Sequence, residues 1–137
     1  MILQGPTNDF KLAILEGVHA PTDTYMIALY TQDADLTELT SAYTTRGEVE
    51  APGYRAGGQA LTQRVAMLDG AVAVLSWGHV VWERATMAAR AALVYNLSKN
   101  NRAVAVIDLG RVVTSTNAPF VVELPPPTAQ DALIRIG

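Results

Sequence analysis

The chain has 137 residues, which suits one domain with one core, and half of them are apolar, which excludes a disordered chain. The formal net charge is -3 and the pI about 5.2, with Arg and Lys scattered, so nothing attracts a phosphate backbone and direct nucleic-acid binding is not expected. The absence of cysteine excludes disulfides, thiolate metal sites and cysteine nucleophiles.

Met1-Ile2-Leu3-Gln4-Gly5-Pro6 lacks the basic start and long apolar stretch of a signal peptide. Residues 1–8 read as an N-terminal arm. Thr7 or Asn8 caps a short helix over 9–16, with Phe10, Ala13, Ile14 and Gly17 at helical spacing and Gly17 as its stop. Pro21-Thr22-Asp23 is a turn. Thr24 to Tyr30 alternates as a strand, and both of its faces are apolar, so it is expected to be central. Thr31 to Thr45 is polar and reads as an open loop or one helical turn around Leu36–Leu39. Gly47 to Ala51 reads as a short edge strand and Pro52-Gly53 as a turn.

Tyr54 to Gly58 is a loop, and small or apolar residues alternate with polar ones from Gln59 to Met67. Asp69-Gly70 is the strongest hairpin signal, joining a strand that ends near Leu68 to one over Ala71 to Trp77. Val80 to Trp82 and Ala88 to Asn96 follow as strands. Between them Glu83 to Leu93 is rich in Ala, Met and Arg, so propensity alone favours helix; Thr86 and Val94-Tyr95 favour a pleat, and strand is preferred. Ser98 to Asn101 is a turn, Ala103 to Leu109 a buried strand in a hairpin with Ala92–Tyr95, Thr114 to Asn117 a further turn, and Phe120 to Leu124 a strand. Pro125-Pro126-Pro127 opens a C-terminal tail over 125–137 as an extended spacer before a last strand at Leu133 to Ile136. Eight or nine short strands imply an all-β fold, a sandwich or barrel, in a single domain over 1–137. The longest apolar runs, such as Ala71 to Leu75, fall far short of the ~20 residues a membrane helix needs, so no membrane is expected.

No catalytic, cofactor or metal motif stands out. His19 and His79 have no ligand pairing at a recognised spacing. Asp33-Ala34-Asp35 lacks the Gly and distal Glu of a calcium loop. Glu48 and Glu50 would share a strand face and read as a charged edge that resists unwanted pairing; a glycan hydrolase would need a cleft with two facing carboxylates. Ser76, before Trp77-Gly78-His79, sits in no nucleophile elbow. Trp77 and Trp82 are core residues or a platform for stacking on a glycan, the second use being ruled out if both are buried. Only 17% of residues are charged, beside the usual ~25%, which leaves neutral surface for a partner subunit. The lack of disulfides fits assembly in a reducing cytoplasm.

Taken in order, several segments resemble small virion structural proteins of tailed bacteriophages. They are the opening helix, Asp23 to Thr31, Ser41 to Thr44, Gly53 to Leu61, Val80 to Thr86, Ala92 to Tyr95, Ile107 to Gly110 and Ser115 to Phe120, and the likeness spans residues 9–136. The helix-prone Met87-Ala88-Ala89 and the Pro125–Pro127 run depart from that pattern. The resemblance implies a jelly-roll-like antiparallel β-sandwich with a short N-terminal helix. It implies a capsid decoration (cement) protein on the virion surface, assembled in the host cytoplasm, without enzymatic activity or cofactor. Its partners would be the major capsid protein and further copies of itself, commonly as a homotrimer. The alternative is a tail or fibre module that binds a receptor glycan. Under the first reading Ile2, Leu3 and Pro6 of the N-terminal arm, with Leu133, Ile134 and Ile136 of the tail, would clasp neighbours.

Overall fold

The structure, a computed structural model, describes residues 1–137. A two-residue strand β1 (Gly5–Pro6) leads into helix α1 (Asn8–Leu15). Of the two possible caps the chain uses Thr7, whose hydroxyl accepts the Phe10 N–H at 3.1 Å. Asp9, in the first turn, also holds Arg102 through two 3.0 Å hydrogen bonds, tying the helix to the sheet. Gly17, at φ 68°, lies just past the helix end in the left-handed region.

The strands that follow are β2 (Tyr25–Tyr30), β3 (Gln59–Ala60), β4 (Val65–Asp69), β5 (Val72–Ser76), β6 (Val80–Asn96), β7 (Arg102–Val122) and β8 (Ile134–Ile136). They form a five-stranded sheet in the order β1-β7-β6-β2-β3 and a three-stranded sheet in the order β4-β5-β8, with every pairing antiparallel. The fold is therefore all-β and sandwich-like, with one short N-terminal helix.

Alternation explains the larger sheet. In β2, Tyr25, Ile27 and Leu29 enter the main core with Ala92, Val94, Ala105 and Ile107, while Ala28 and Tyr30 enter a second core with Ala91, Leu93, Ala103 and Val106. Both faces of this part of the sheet are covered, as the two apolar faces of β2 required. The main core is closed by Phe10 from α1 and by Leu133, Ile134, Trp77 and Leu124. The second is closed by Ala34 and Leu36 from the 31–47 segment, with Ile2 and Tyr43 packed beside them. That segment is an open loop with a turn at Thr37–Thr40, the first of the two forms its sequence allowed.

The Ala-rich stretch is strand throughout, and β6 runs unbroken from Val80 to Asn96. Ala85, Ala89, Ala91 and Ala92 are almost fully buried there, so packing against β2 and β7 outweighs their helical preference. The two strands expected at 80–82 and 88–96 are one element, and so are those at 103–109 and 120–124, now joined in β7. Thr114 to Asn117 is consequently no turn. It is an irregularity inside β7: the register slips by one residue between Ala85↔Ala118 and Met87↔Ser115. Asn117 takes φ 47°, and its N–H donates to the Thr86 hydroxyl at 2.9 Å. Turn-forming residues supplied the positive φ, and long-range pairing absorbed it as a bulge.

Gly47 to Ala51 also departs from expectation. It forms no strand, only a single bridge from Glu48 to Tyr30 flanked by two backbone bonds, Thr31 N–H to the Gly47 carbonyl and Val49 N–H to the Leu29 carbonyl. After the Pro52-Gly53 turn the chain passes so close to β2 that a Cβ on Gly58 would stand 1.8 Å from the Ile27 carbonyl oxygen, and Gly58 has φ 78°.

Candidate interaction surface

Ser76, Glu48 and Asp23 hold the structure together, while His79, Glu50, Asp33 and Asp35 stand exposed. Ser76 is buried and donates to the Pro125 carbonyl, while His79 is exposed, so they form no nucleophile and base pair. Glu50 is exposed and Glu48 is buried, which removes the reading of the two as one charged edge. Glu48 instead accepts the Tyr43 hydroxyl at 2.6 Å, the Tyr54 hydroxyl at 2.5 Å and the Gly57 N–H at 2.9 Å. Tyr54 also accepts the Leu29 N–H, and Tyr95 donates to the Gly57 carbonyl at 2.7 Å. Burial, then the hydrogen bond to Glu48, pushes the Tyr43 and Tyr54 phenols well above their usual range. Tyr95 is pushed up to about 12 by burial and the nearby Glu48 charge. The cluster is a closed polar staple that pins residues 43–58 to the sheet.

A second polar cluster lies where β6 turns into β7. The Asn96 side-chain nitrogen donates to Asp23 at 2.8 Å and to His19 Nδ1 at 2.9 Å, and its oxygen accepts the Ser98 N–H. Lys99 and the Ala20 N–H complete the shell of Asp23. Hydrogen bonds from Asn96 and Lys99 hold the Asp23 carboxyl down at about 2. Asn96 separates His19 from the carboxylate, and no hydroxyl meets His19 Nε2, so this is not a catalytic triad. No three His, Cys, Asp or Glu side chains converge to hold a metal ion, and no helix is long and apolar enough to cross a membrane.

The tryptophans are core. Trp77 is 5% and Trp82 3% exposed, with Trp77 against Tyr25 and Trp82 against Tyr54 and Phe120, so neither offers a ring face to a glycan. Leu133 and Ile134 are buried in the main core as well and are not clasping residues. The two ends of the chain fold back onto their own subunit. Gly5 and Pro6 pair with Val106 and Ala105, Ile2 bridges Leu36, and Ile134 to Ile136 pair with β5. Of the six residues expected to clasp neighbours, Leu3 and Ile136 keep exposed side chains, while Ile2 and Pro6 are half-buried.

Strand β4 presents the surface that the sequence reading did not single out. It pairs only with β5, and all five of its residues are exposed, Leu68 to 68% and Met67 to 49%. The other edge strands of the two sheets are shorter: β1 and β3 have two residues each and β8 has three. In the outer β6–β7 ribbon the pairing is broken by register shifts, and the β6 edge is met by the Pro52 carbonyl at Thr86 and by the Gln59 side chain at Val81. Those devices resist pairing with another chain; β4, with Val65-Ala66-Met67-Leu68, has none of them. The absence of any charge over 65–68 was the signal in the sequence.

No family model matches the chain, and no curated protein or solved structure is detectably similar to it.

Proposed function

We propose that this chain is a structural subunit of a bacteriophage virion, a capsid decoration (cement) protein that stabilises the head by covering seams between major capsid protein subunits. The observation that carries this reading is β4, an edge strand exposed along its length and uncharged from Val65 to Leu68, in a domain whose other edges are short or interrupted. An edge of this kind gains backbone hydrogen bonds and apolar burial when a neighbour adds to it. The virion setting of this proposal is what the resemblance read from the ordered segments over residues 9–136 implies. The low charge, which leaves neutral surface to bury, supports a subunit role. The proposed role requires no reaction and no cofactor. Its partners are the capsid protein and further copies of the chain in a homo-oligomer such as a trimer. Contacts too small to hold one subunit become firm when many copies of an oligomer engage a repeating shell.

The terminal segments are not the clasps in this version, since both are held in the subunit's own sheets. Burial of Trp77 and Trp82 removes the platform on which a glycan-binding role depended. Imaging the particle that carries the protein tests the proposal. Density across capsid seams, with β4 facing a neighbour, is the expected result. Density confined to the tail or a fibre would overturn the decoration role.

A further inference from the structure

The two layers of the fold do not close completely. Across the second sheet, Ala66, Leu75 and Ile134 stand opposite one another in one row and Leu68, Ala73 and Ile136 in the next, so six apolar side chains share one face. That face looks toward Phe10 and Ile14 of α1 and toward Tyr25, and the space between is an open apolar slot of about 400 Å³. This lies within the range of ~300–1,000 Å³ typical of small-ligand sites.

Two residues that line the same slot each carry a buried side-chain N–H without a protein acceptor, His19 Nε2 and Arg64 Nε. The protonation of His19 follows from its neighbour. The Asn96 oxygen is taken by the Ser98 N–H, so its nitrogen faces His19 and Nδ1 must accept. The proton of the neutral ring therefore sits on Nε2. Burial, followed by the nearby Arg102 charge, favours that neutral form. Arg64 forms no ion pair and no hydrogen bond, although a buried guanidinium N–H without an acceptor is costly. An apolar slot that carries a cation and an imidazole N–H is complementary to one kind of ligand: an apolar chain with an anionic oxygen head.

We propose that the slot between α1 and the β4-β5-β8 sheet binds an aliphatic carboxylate. The chain lies along the Leu68 and Ile136 row, and the carboxylate accepts from Arg64 Nε and His19 Nε2. The site belongs to a single subunit, so it does not rest on the assembly role proposed above.

Calorimetric titration of the whole chain with decanoate, decan-1-ol and decyltrimethylammonium, each below its aggregation limit, provides the test. Decanoate is expected to saturate one site per chain. The alcohol and the cation, with the same tail, are expected to bind about tenfold or more weakly, because a hydrogen bond to a charged group is lost. Arg64→Gln should weaken decanoate by a similar factor and leave decanol unchanged. Ala66→Trp, which fills the slot from the exposed strand, should abolish binding of both. Failure of decanoate to saturate, or equal affinity for the cationic analogue, would overturn the proposal, and both results come from the unaltered chain even if a variant misfolds.

Discussion

Glu48 shows how one side chain can organise a long stretch without secondary structure. Two phenols and a backbone N–H converge on its carboxylate, and the chain from Tyr43 to Gly58 has few other regular bonds to the sheet. Glu48→Gln keeps the shape and removes the charge and one acceptor. Urea unfolding should show a loss of about 1–3 kcal/mol, the cost of a buried charge-assisted bond replaced by a mismatched one. Asp23 gives the molecule a dependence on acid. Its folded pKa of about 2 lies below the ordinary value of 3.8, so the folded state holds its proton less tightly than the unfolded chain. The resulting stabilisation is complete above about pH 5 and is lost as the pH falls through 4 toward 2. It is on the order of 1–2 kcal/mol. Asp23→Asn should flatten the stability profile over that window, which chemical denaturation at stepped pH would reveal. No change in the profile would mean that the Asn96 and Lys99 bonds do not persist in solution.

Among the elements, β6 and β4 depart most from what local propensity suggests. Glu83 to Leu93 has the composition of a helix, yet it is a strand because its alanines fit between β2 and β7 where larger residues would force the strands' side chains apart. Strand β4 is the reverse case: its sequence is ordinary for a strand, and its exposure is the unusual property. Met67→Lys places a charge on that edge without touching the core. If copies of the chain pair through this edge, as proposed, light scattering should show a shift from oligomer to monomer, with unfolding free energy changed by less than about 0.5 kcal/mol. An oligomer unaffected by the lysine would show that copies of the chain meet through another face.

For the whole molecule, the burial of Trp77 and Trp82 removes them as a platform for stacking on a glycan. With both rings buried, acrylamide should quench their fluorescence only weakly in the folded chain, and glycans should leave the emission unchanged. Trp82→Ala should cost about 3–5 kcal/mol, because Tyr54 and Phe120 would be left facing a cavity. Strong quenching in the native state would restore the possibility of a stacking platform.

Local chemistry in the sequence determined the fold class, the capped helix, the Asp69-Gly70 hairpin and the two-faced burial of β2, whereas the strand character of the Ala-rich stretch came from its packing between β2 and β7. The first four depend on side-chain period or on turn residues a few positions apart. Only the tertiary structure decided that Glu48 lies inside a tyrosine cluster, that Thr114 to Asn117 is a bulge, that Leu133 and Ile134 belong to the core and that β4 is left uncovered. Each of those outcomes depends on which distant segment comes to lie over a given face. Arg102 against Asp9 and Pro6 against Ala105 meet across more than ninety residues, a separation at which period and turn chemistry carry no information.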